Sequence, residues 1–161
     1  MPTTQTKITA VSDECLKLIQ HYEGIFLDAY KDPVGIWTIG IGTIRYPNGA
    51  PVKKGDKITQ IQAWDFLWHD LTQFMKDVDY YATDKITQGQ FDALVSFTYN
   101  VGTTNFKTST LLKKINKNPL DTSIQVEFEK WKYAKGIELA GLLKRRKSEA
   151  YLYKTGKFKV F

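Results

Sequence analysis

Three polar side chains, Glu23, Asp32 and Thr38, stand at spacings that could support acid–base chemistry. Glu23 continues the helix face that carries Cys15 and Ile19, because these three residues are four apart. An acid at the end of an apolar face is partly shielded from water, which favours its protonated form. Such an acid could serve as the general acid of glycoside cleavage. The plain alternative is a frayed helix end at which Glu23 faces water.

Asp32 and Thr38 follow in a segment rich in turn residues. Asp32 precedes Pro33, a position at which aspartate is common for purely structural reasons. On a strand, Thr38 points away from the neighbouring side chains, so that its hydroxyl could hold a water molecule beside Asp32. A threonine chosen for strand propensity is the alternative. Two carboxyls in different environments can divide the work of a glycosidase, one protonated and one ionised.

The elements that must position these residues are predicted from periodicity and turn signals. A first helix begins after Ser12 and ends near Glu23. Short β-prone runs between glycines and prolines predict three strands of a small antiparallel sheet: residues 26–30, 36–41 and 43–46. Capping residues and helical periodicity predict five later helices: 59–81, 87 to about 102, 109–116, 122 to about 135, and 138–154.

This order of elements predicts an α+β fold of one domain over residues 1–161. An N-terminal lobe with the small sheet spans 1–58, a connecting helix spans 59–81, and a helical C-terminal lobe spans 82–161. A cleft between two such lobes is a natural binding site. We expect Glu23 and Asp32 to face each other across it.

Composition excludes several other functions. A single cysteine excludes an intramolecular disulfide, and one cysteine with two histidines is too few for a metal site, so we expect neither metal nor cofactor. The polar start of the chain predicts no signal peptide or membrane span, so a substrate beyond the inner membrane requires another route out. The net charge of +6 favours anionic partners, but no nucleic-acid-binding motif accompanies it.

Three blocks of the chain resemble the phage lysozyme family of endolysins, glycoside hydrolase family twenty-four. The first block carries that family's E-x8-D-x5-T spacing, which Glu23, Asp32 and Thr38 match without a gap. The blocks follow the family's order and are residues 22–42, 90–102 and 141–149. One departure is Thr43, where many members carry a histidine, and this change puts a stabilising contact in doubt.

The resemblance implies a lysozyme-like fold and hydrolysis of the β-1,4 bond between N-acetylmuramic acid and N-acetylglucosamine in bacterial peptidoglycan, which lyses the host cell. Glu23 would protonate the leaving oxygen. Asp32 and Thr38 would hold the attacking water on the other face of the sugar, which gives inversion of configuration.

The resemblance also implies substrate contacts from Ile44 and Tyr99, and from an arginine of the last helix that lies beside the catalytic glutamate. The motif assigns this arginine to Arg145. A helical wheel with Leu139 in its buried stripe places Arg146 more squarely on the buried face, so both arginines remain candidates. A buried arginine requires an acidic partner.

For the biology, we expect a monomer that accumulates in the host cytoplasm and is released by a holin-type membrane lesion. It would then act on glycan strands in the periplasm and reside on the anionic envelope. A lytic transglycosylase is one alternative, although that chemistry needs no water-holding acid. The other is a non-catalytic protein that binds the cell wall or the membrane through its basic segments, residues 144–147 and 154–159.

Overall fold

A computed structural model describes residues 7–161 of the chain. The chain divides into two compact units, which we call the small unit and the large unit. The small unit comprises Ile19–Gln73, and the large unit comprises the residues up to Leu18 together with Phe74–Phe161. The helices and antiparallel strand pairs confirm the predicted α+β class.

The small unit is built around one antiparallel strand pair. Helix α1 (Asp13–Glu23) ends there, strands β1 (Phe26–Lys31) and β2 (Trp37–Gly40) follow, and helix α2 (Gln60–Tyr81) begins there. Tyr30 pairs with Thr38 across the two strands. The core of this unit consists of buried aliphatic side chains: Ile19, Ile39, Ile41, Val52, Ala63, Leu67 and Leu71.

The predicted third strand at 43–46 is wrong. Residues 43–46 make only isolated bridges, from Thr43 to Ile39 and from Arg45 to Pro51. Gly40 and Gly42 have φ angles of +65° and +78°, which turn the chain back on itself within a few residues. The segment is therefore a tight glycine-rich loop.

The large unit is helical. Its remaining elements are α3 (Gln88–Val101), α4 (Thr103–Thr108), α5 (Thr110–Lys117), α6 (Ile124–Glu129), β3 (Tyr133–Ala134), β4 (Ile137–Glu138) and α7 (Ala140–Thr155). Phe97 is fully buried at the centre of the large unit. Its ring meets the rings of Phe106, Phe128 and Trp131 edge-on, with centroids 5.5–6.5 Å apart. Helices α3 and α7 pack against each other at Gly89. A Cβ at this position would lie 2.6 Å from the Cα of Gly156, so there is no room for a side chain.

The capping signals at Thr59 and Thr87 are confirmed, whereas three expectations for 122–139 are wrong. The expected capping box at Thr122 does not form, because the N-cap of α6 is Ser123 and makes no side-chain capping hydrogen bond. Thr59 and Thr87 both form capping boxes, each with the glutamine three residues later. The helix expected to reach residue 135 ends at Glu129 and is followed by the β3–β4 hairpin. Leu139 is 42% exposed at the N-cap of α7 and does not belong to the buried stripe. Within residues 7–161, no helix is long and apolar enough to cross a membrane.

Candidate active site

Glu23 is the last residue of α1, and its side chain is half-buried. The helix stops there because Gly24 takes a φ of +74°, while its N–H still donates to the Gln20 carbonyl at 2.8 Å. A Cβ on Gly24 would lie 2.9 Å from the Phe26 ring. The absence of a side chain at Gly24 therefore leaves room for the Phe26 ring at the start of β1.

Asp32 is fixed by the turn that joins β1 and β2. Its Oδ1 accepts hydrogen bonds from the N–H of Val34 at 3.0 Å and of Ile36 at 2.8 Å. The turn role expected of an aspartate before proline is therefore real, but it uses only one carboxylate oxygen. In the part of the chain that the structure describes, Oδ2 of Asp32 receives no hydrogen bond, so it remains available to a ligand or a water molecule.

Thr38 and Asp32 donate hydrogen bonds to the same backbone carbonyl. The Ile36 carbonyl accepts from the Asp32 N–H at 2.9 Å and from the Thr38 hydroxyl at 3.1 Å. Thr38 is only 5% exposed. Because its proton is engaged, the Thr38 hydroxyl oxygen can act towards a further partner only as an acceptor.

Tyr30, which the sequence interpretation did not select, lies among the three. It pairs with Thr38 in the sheet, and its ring packs against Phe26 at a centroid distance of 4.4 Å. Burial raises the pKa of the Tyr30 phenol, and the negative charges of Glu23 and Asp32 raise it further. Both carboxylates therefore act on one phenol. The motif Ala29-Tyr30-Lys31-Asp32 was the signal that could have identified it.

The arrangement suits the activation of a water molecule. Oδ2 of Asp32 and the Thr38 hydroxyl oxygen are two acceptors whose residues donate to one backbone carbonyl, Asp32 through its backbone N–H and Thr38 through its hydroxyl. A water molecule that donates one hydrogen to each would direct its oxygen lone pairs away from both. Across residues 7–161, no group of three or more His, Cys, Asp or Glu side chains could hold a metal ion.

Ile44 lies in the small unit with these residues, on the glycine-rich loop. Its side chain is 47% exposed, while its carbonyl accepts from the Val52 N–H at 3.0 Å. An apolar side chain held out by a hydrogen-bonded backbone is a suitable surface for the apolar face of a sugar.

Tyr99, Arg145 and Arg146 belong to the large unit. Tyr99 is half-buried and meets Phe74 edge-on at 5.5 Å. Arg145 and Arg146 are both buried, and each lies within 3.3 Å of Glu149. Glu149 thus supplies the acidic partner expected for a buried arginine.

Comparisons with known proteins show which family the chain belongs to. The phage lysozyme family model matches residues 20–149. The endolysin of Acyrthosiphon pisum secondary endosymbiont phage 1 is 40% identical over 149 residues, which are 90% of this chain and 98% of that protein. The endolysin from Escherichia coli O157:H7 phage FAHEc1 superimposes with a TM-score of 0.88 at 38% identity, covering 93% of this chain and 96% of that one.

A third relative comes from outside the phages. The muramidase domain of SpmX from Asticaccaulis excentricus superimposes with a TM-score of 0.79 at 31% identity, covering 91% of this chain and 98% of that one. The matched region spans most of the chain, and it includes all three sequence blocks and the lysozyme-like fold. The chain therefore belongs to the phage lysozyme family, and it is a lysozyme-type, peptidoglycan-hydrolysing endolysin.

Proposed function

We propose that this endolysin cleaves the β-1,4 bond between N-acetylmuramic acid and N-acetylglucosamine with Glu23 as general acid, and that Asp32 and Thr38 hold the attacking water. The observation that carries this proposal is the Ile36 carbonyl, which anchors both Asp32 and Thr38. Each of these side chains keeps an oxygen acceptor for the water. Glu23 supplies the second carboxyl, and its charge acts on the same Tyr30 phenol as that of Asp32.

The reaction follows from these roles. The Glu23 carboxyl gives its proton to the glycosidic oxygen as the bond from that oxygen to the anomeric carbon breaks. The water oxygen forms its bond to the anomeric carbon from the opposite face, and the proton it loses passes to Asp32. Solvent then restores the proton on Glu23 and removes the one on Asp32. Attack from the opposite face inverts the anomeric configuration.

Further substrate contacts form part of this proposal. Ile44 offers an exposed apolar surface to a sugar ring, and Tyr99 offers an aromatic one. Arg145 is the arginine that we assign to the catalytic glutamate, because it matches the family motif.

The catalytic rates of two variants test the roles of the two carboxyls. Glu23→Gln and Asp32→Asn each remove an ionisable group while keeping the shape of the side chain, and we expect each to lower kcat by roughly 10²–10⁴-fold. Asp28→Asn is the matched control, because Asp28 is a carboxylate of β1 whose side chain is 73% exposed. It should cleave as the parent does.

The first product distinguishes the possible reactions. Inversion of the β bond gives an α-anomer as the first product, which proton NMR detects before mutarotation. A first product of β configuration would contradict inversion, and 1,6-anhydromuramic ends would identify a transglycosylase. Undiminished lysis of outer-membrane-permeabilised cells by Glu23→Gln would show that the lytic action is not catalytic.

Phage endolysins act on the cell wall after release from the cytoplasm. We propose that this chain accumulates there as a monomer, passes the inner membrane through a holin-type lesion, and then resides on the anionic envelope through its net charge of +6. Expression with and without a holin, followed by fractionation and turbidity measurement, tests the route. Lysis at the same rate without a lesion would contradict it, and sedimentation would test the monomer.

A further inference from the structure

A buried arginine of the large unit is directed at an exposed asparagine. Arg146 of α7 is fully buried, and its Nη2 donates to Oδ1 of Asn100 at 2.6 Å. Asn100 lies in the last turn of α3, and its side chain is exposed to solvent. This short, charge-assisted hydrogen bond therefore joins the interior of the unit to its surface.

Burial of the Arg146 guanidinium group costs desolvation free energy, which its buried partners must offset. Its Nε lies 3.1 Å from Oε2 of Glu149, and its guanidinium carbon lies 5.1 Å from the centre of the Phe97 ring. Glu149 also pairs with Arg145, so one buried carboxylate serves two guanidinium groups. Nη1 of Arg146 is buried without a hydrogen-bond acceptor within the described residues. Such a network is a poor way to gain stability, which suggests that its geometry serves another purpose.

The geometry fixes the orientation of the Asn100 amide. A guanidinium group has only donors, so the Asn100 atom that faces it must be the carbonyl oxygen. The amide nitrogen Nδ2 therefore points the other way, with two hydrogens to donate. Nδ2 of Asn100 has no acceptor among the residues that the structure describes. The result is a preoriented donor on the surface, which loses little entropy when it binds.

We propose that Nδ2 of Asn100 donates a hydrogen bond to an oxygen of the bound peptidoglycan, and that Arg146 is the positioning residue that holds this donor. This inference rests on the proposed function and gives Arg146 a role distinct from that of Arg145. Asn100 directly follows Tyr99, the proposed sugar contact. The acceptor is a carbonyl or carboxylate oxygen, which the substrate offers both in its acetamido groups and in its stem peptides.

Asn100→Asp separates this role from a purely structural one. Aspartate keeps an oxygen acceptor for Arg146 and adds an ion pair, but it removes the Nδ2 donor. We expect an unchanged or higher unfolding temperature, together with a KM for soluble peptidoglycan fragments that rises roughly tenfold while kcat changes less. A parental KM would overturn the proposal, whatever happens to stability.

Asn118→Asp is the matched control for this variant. Asn118 is also exposed, lies in the large unit, and accepts from the Leu120 N–H through Oδ1 at 3.0 Å, a bond that aspartate preserves. The substitution makes the same change in net charge, so it should leave KM at the parental value. An equal rise in KM in both variants would mean that charge alone is responsible, and this too would overturn the proposal.

Arg146→Lys tests the positioning role. Lysine keeps the charge but lacks the planar guanidinium that orients the amide, so KM should rise in the parent. In the Asn100→Asp background the same substitution should have no further effect on KM, because the donor is already absent. Additive effects on KM would show that Arg146 does not act through Asn100.

Two substrates identify the acceptor and separate this inference from the proposed mechanism. A rise in KM for Asn100→Asp on both stem-peptide-free glycan strands and intact fragments assigns the acceptor to the sugars. A rise on intact fragments alone assigns it to the stem peptide, and a rise on neither overturns the proposal. The Glu23→Gln variant changes kcat on both substrates, so failure of the general-acid assignment is seen independently of Asn100.

Discussion

The hydroxyl of Thr43 donates a hydrogen bond of 2.8 Å to Oδ2 of Asp70 within the small unit. Thr43 is fully buried, and it stands where many family members carry a histidine. Thr43 therefore makes a polar contact to α2. Burial raises the pKa of Asp70, and the hydrogen bond from Thr43 and the neighbouring His69 offset part of that increase. The hydrogen bond from Thr43 thus stabilises the ionised form of a partly desolvated carboxylate.

Replacement of Thr43 by valine should destabilise the protein without disabling the active site. Valine has the same shape but leaves Asp70 without its donor, which we expect to lower the free energy of unfolding by about 1–3 kcal/mol. Urea denaturation at pH 7 measures the change. Thr72→Val is the control, because Thr72 is exposed on the same helix and donates only to the Trp68 carbonyl. Equal stability of the two variants would show that the Thr43–Asp70 bond contributes nothing.

The raised pKa of Asp70 also predicts a dependence of stability on pH. The folded protein holds the Asp70 proton to a higher pH than the unfolded chain, whose carboxyl titrates near 3.8. The folded state therefore binds more protons in this range, and the contribution of Asp70 to stability falls as the pH rises through it. Asp70→Asn removes this loss, so its stability relative to the parent should be higher at pH 7 than at pH 3.

Asp65→Asn provides the comparison for this measurement, because Asp65 is an exposed residue of the same helix. Its stability relative to the parent should vary little between the two pH values. A relative stability of Asp70→Asn that is constant from pH 3 to pH 7 would refute the linkage to this carboxyl.

Features determined by a few neighbouring residues were predictable from the sequence. The capping boxes of Thr59 and Thr87 are local, since each needs only the glutamine three residues later, and both form. The turn at Asp32 also follows from its own sequence, and the hydrogen bonds of this carboxylate hold it there. The three sequence blocks, the first of which carries the spacing of Glu23, Asp32 and Thr38, predicted the phage lysozyme family, whose model matches residues 20–149.

Features determined by tertiary packing were not predictable. Helix α4 carries Phe106 into the core against Phe97, a contact that no local periodicity reveals in six residues. The β3–β4 hairpin turns at Lys135, a non-glycine residue with a φ of +50°, which the sequence gives no reason to expect. The link from Arg146 to Asn100 joins residues 46 apart, so only the structure shows it.

The space around Gly89 and Gly141 predicts opposite effects for their replacement by alanine. A Cβ on Gly89 would lie 2.6 Å from the Gly156 Cα and 2.8 Å from the Leu152 carbonyl oxygen, both of which are backbone atoms. Gly89→Ala should therefore lower the free energy of unfolding by about 1–3 kcal/mol. Gly141 in α7 has open space at its Cβ, so Gly141→Ala should raise that free energy by about 0.5–1 kcal/mol. Thermal denaturation measures both, and a Gly89→Ala variant as stable as the parent would contradict this packing.

The acceptor role of Thr38 predicts a loss of activity that exceeds any loss of stability. Thr38→Val keeps the shape of a nearly buried side chain but removes the oxygen that would accept from the attacking water. We expect kcat on peptidoglycan to fall roughly 10²-fold, because the water is no longer positioned, while the lost bond to Ile36 lowers stability by only about 1 kcal/mol. Thr38→Ser keeps the hydroxyl and should retain far more activity than the valine variant. If the valine variant turns over substrate as fast as the serine variant, the water is held without Thr38, and Asp32 alone must orient it.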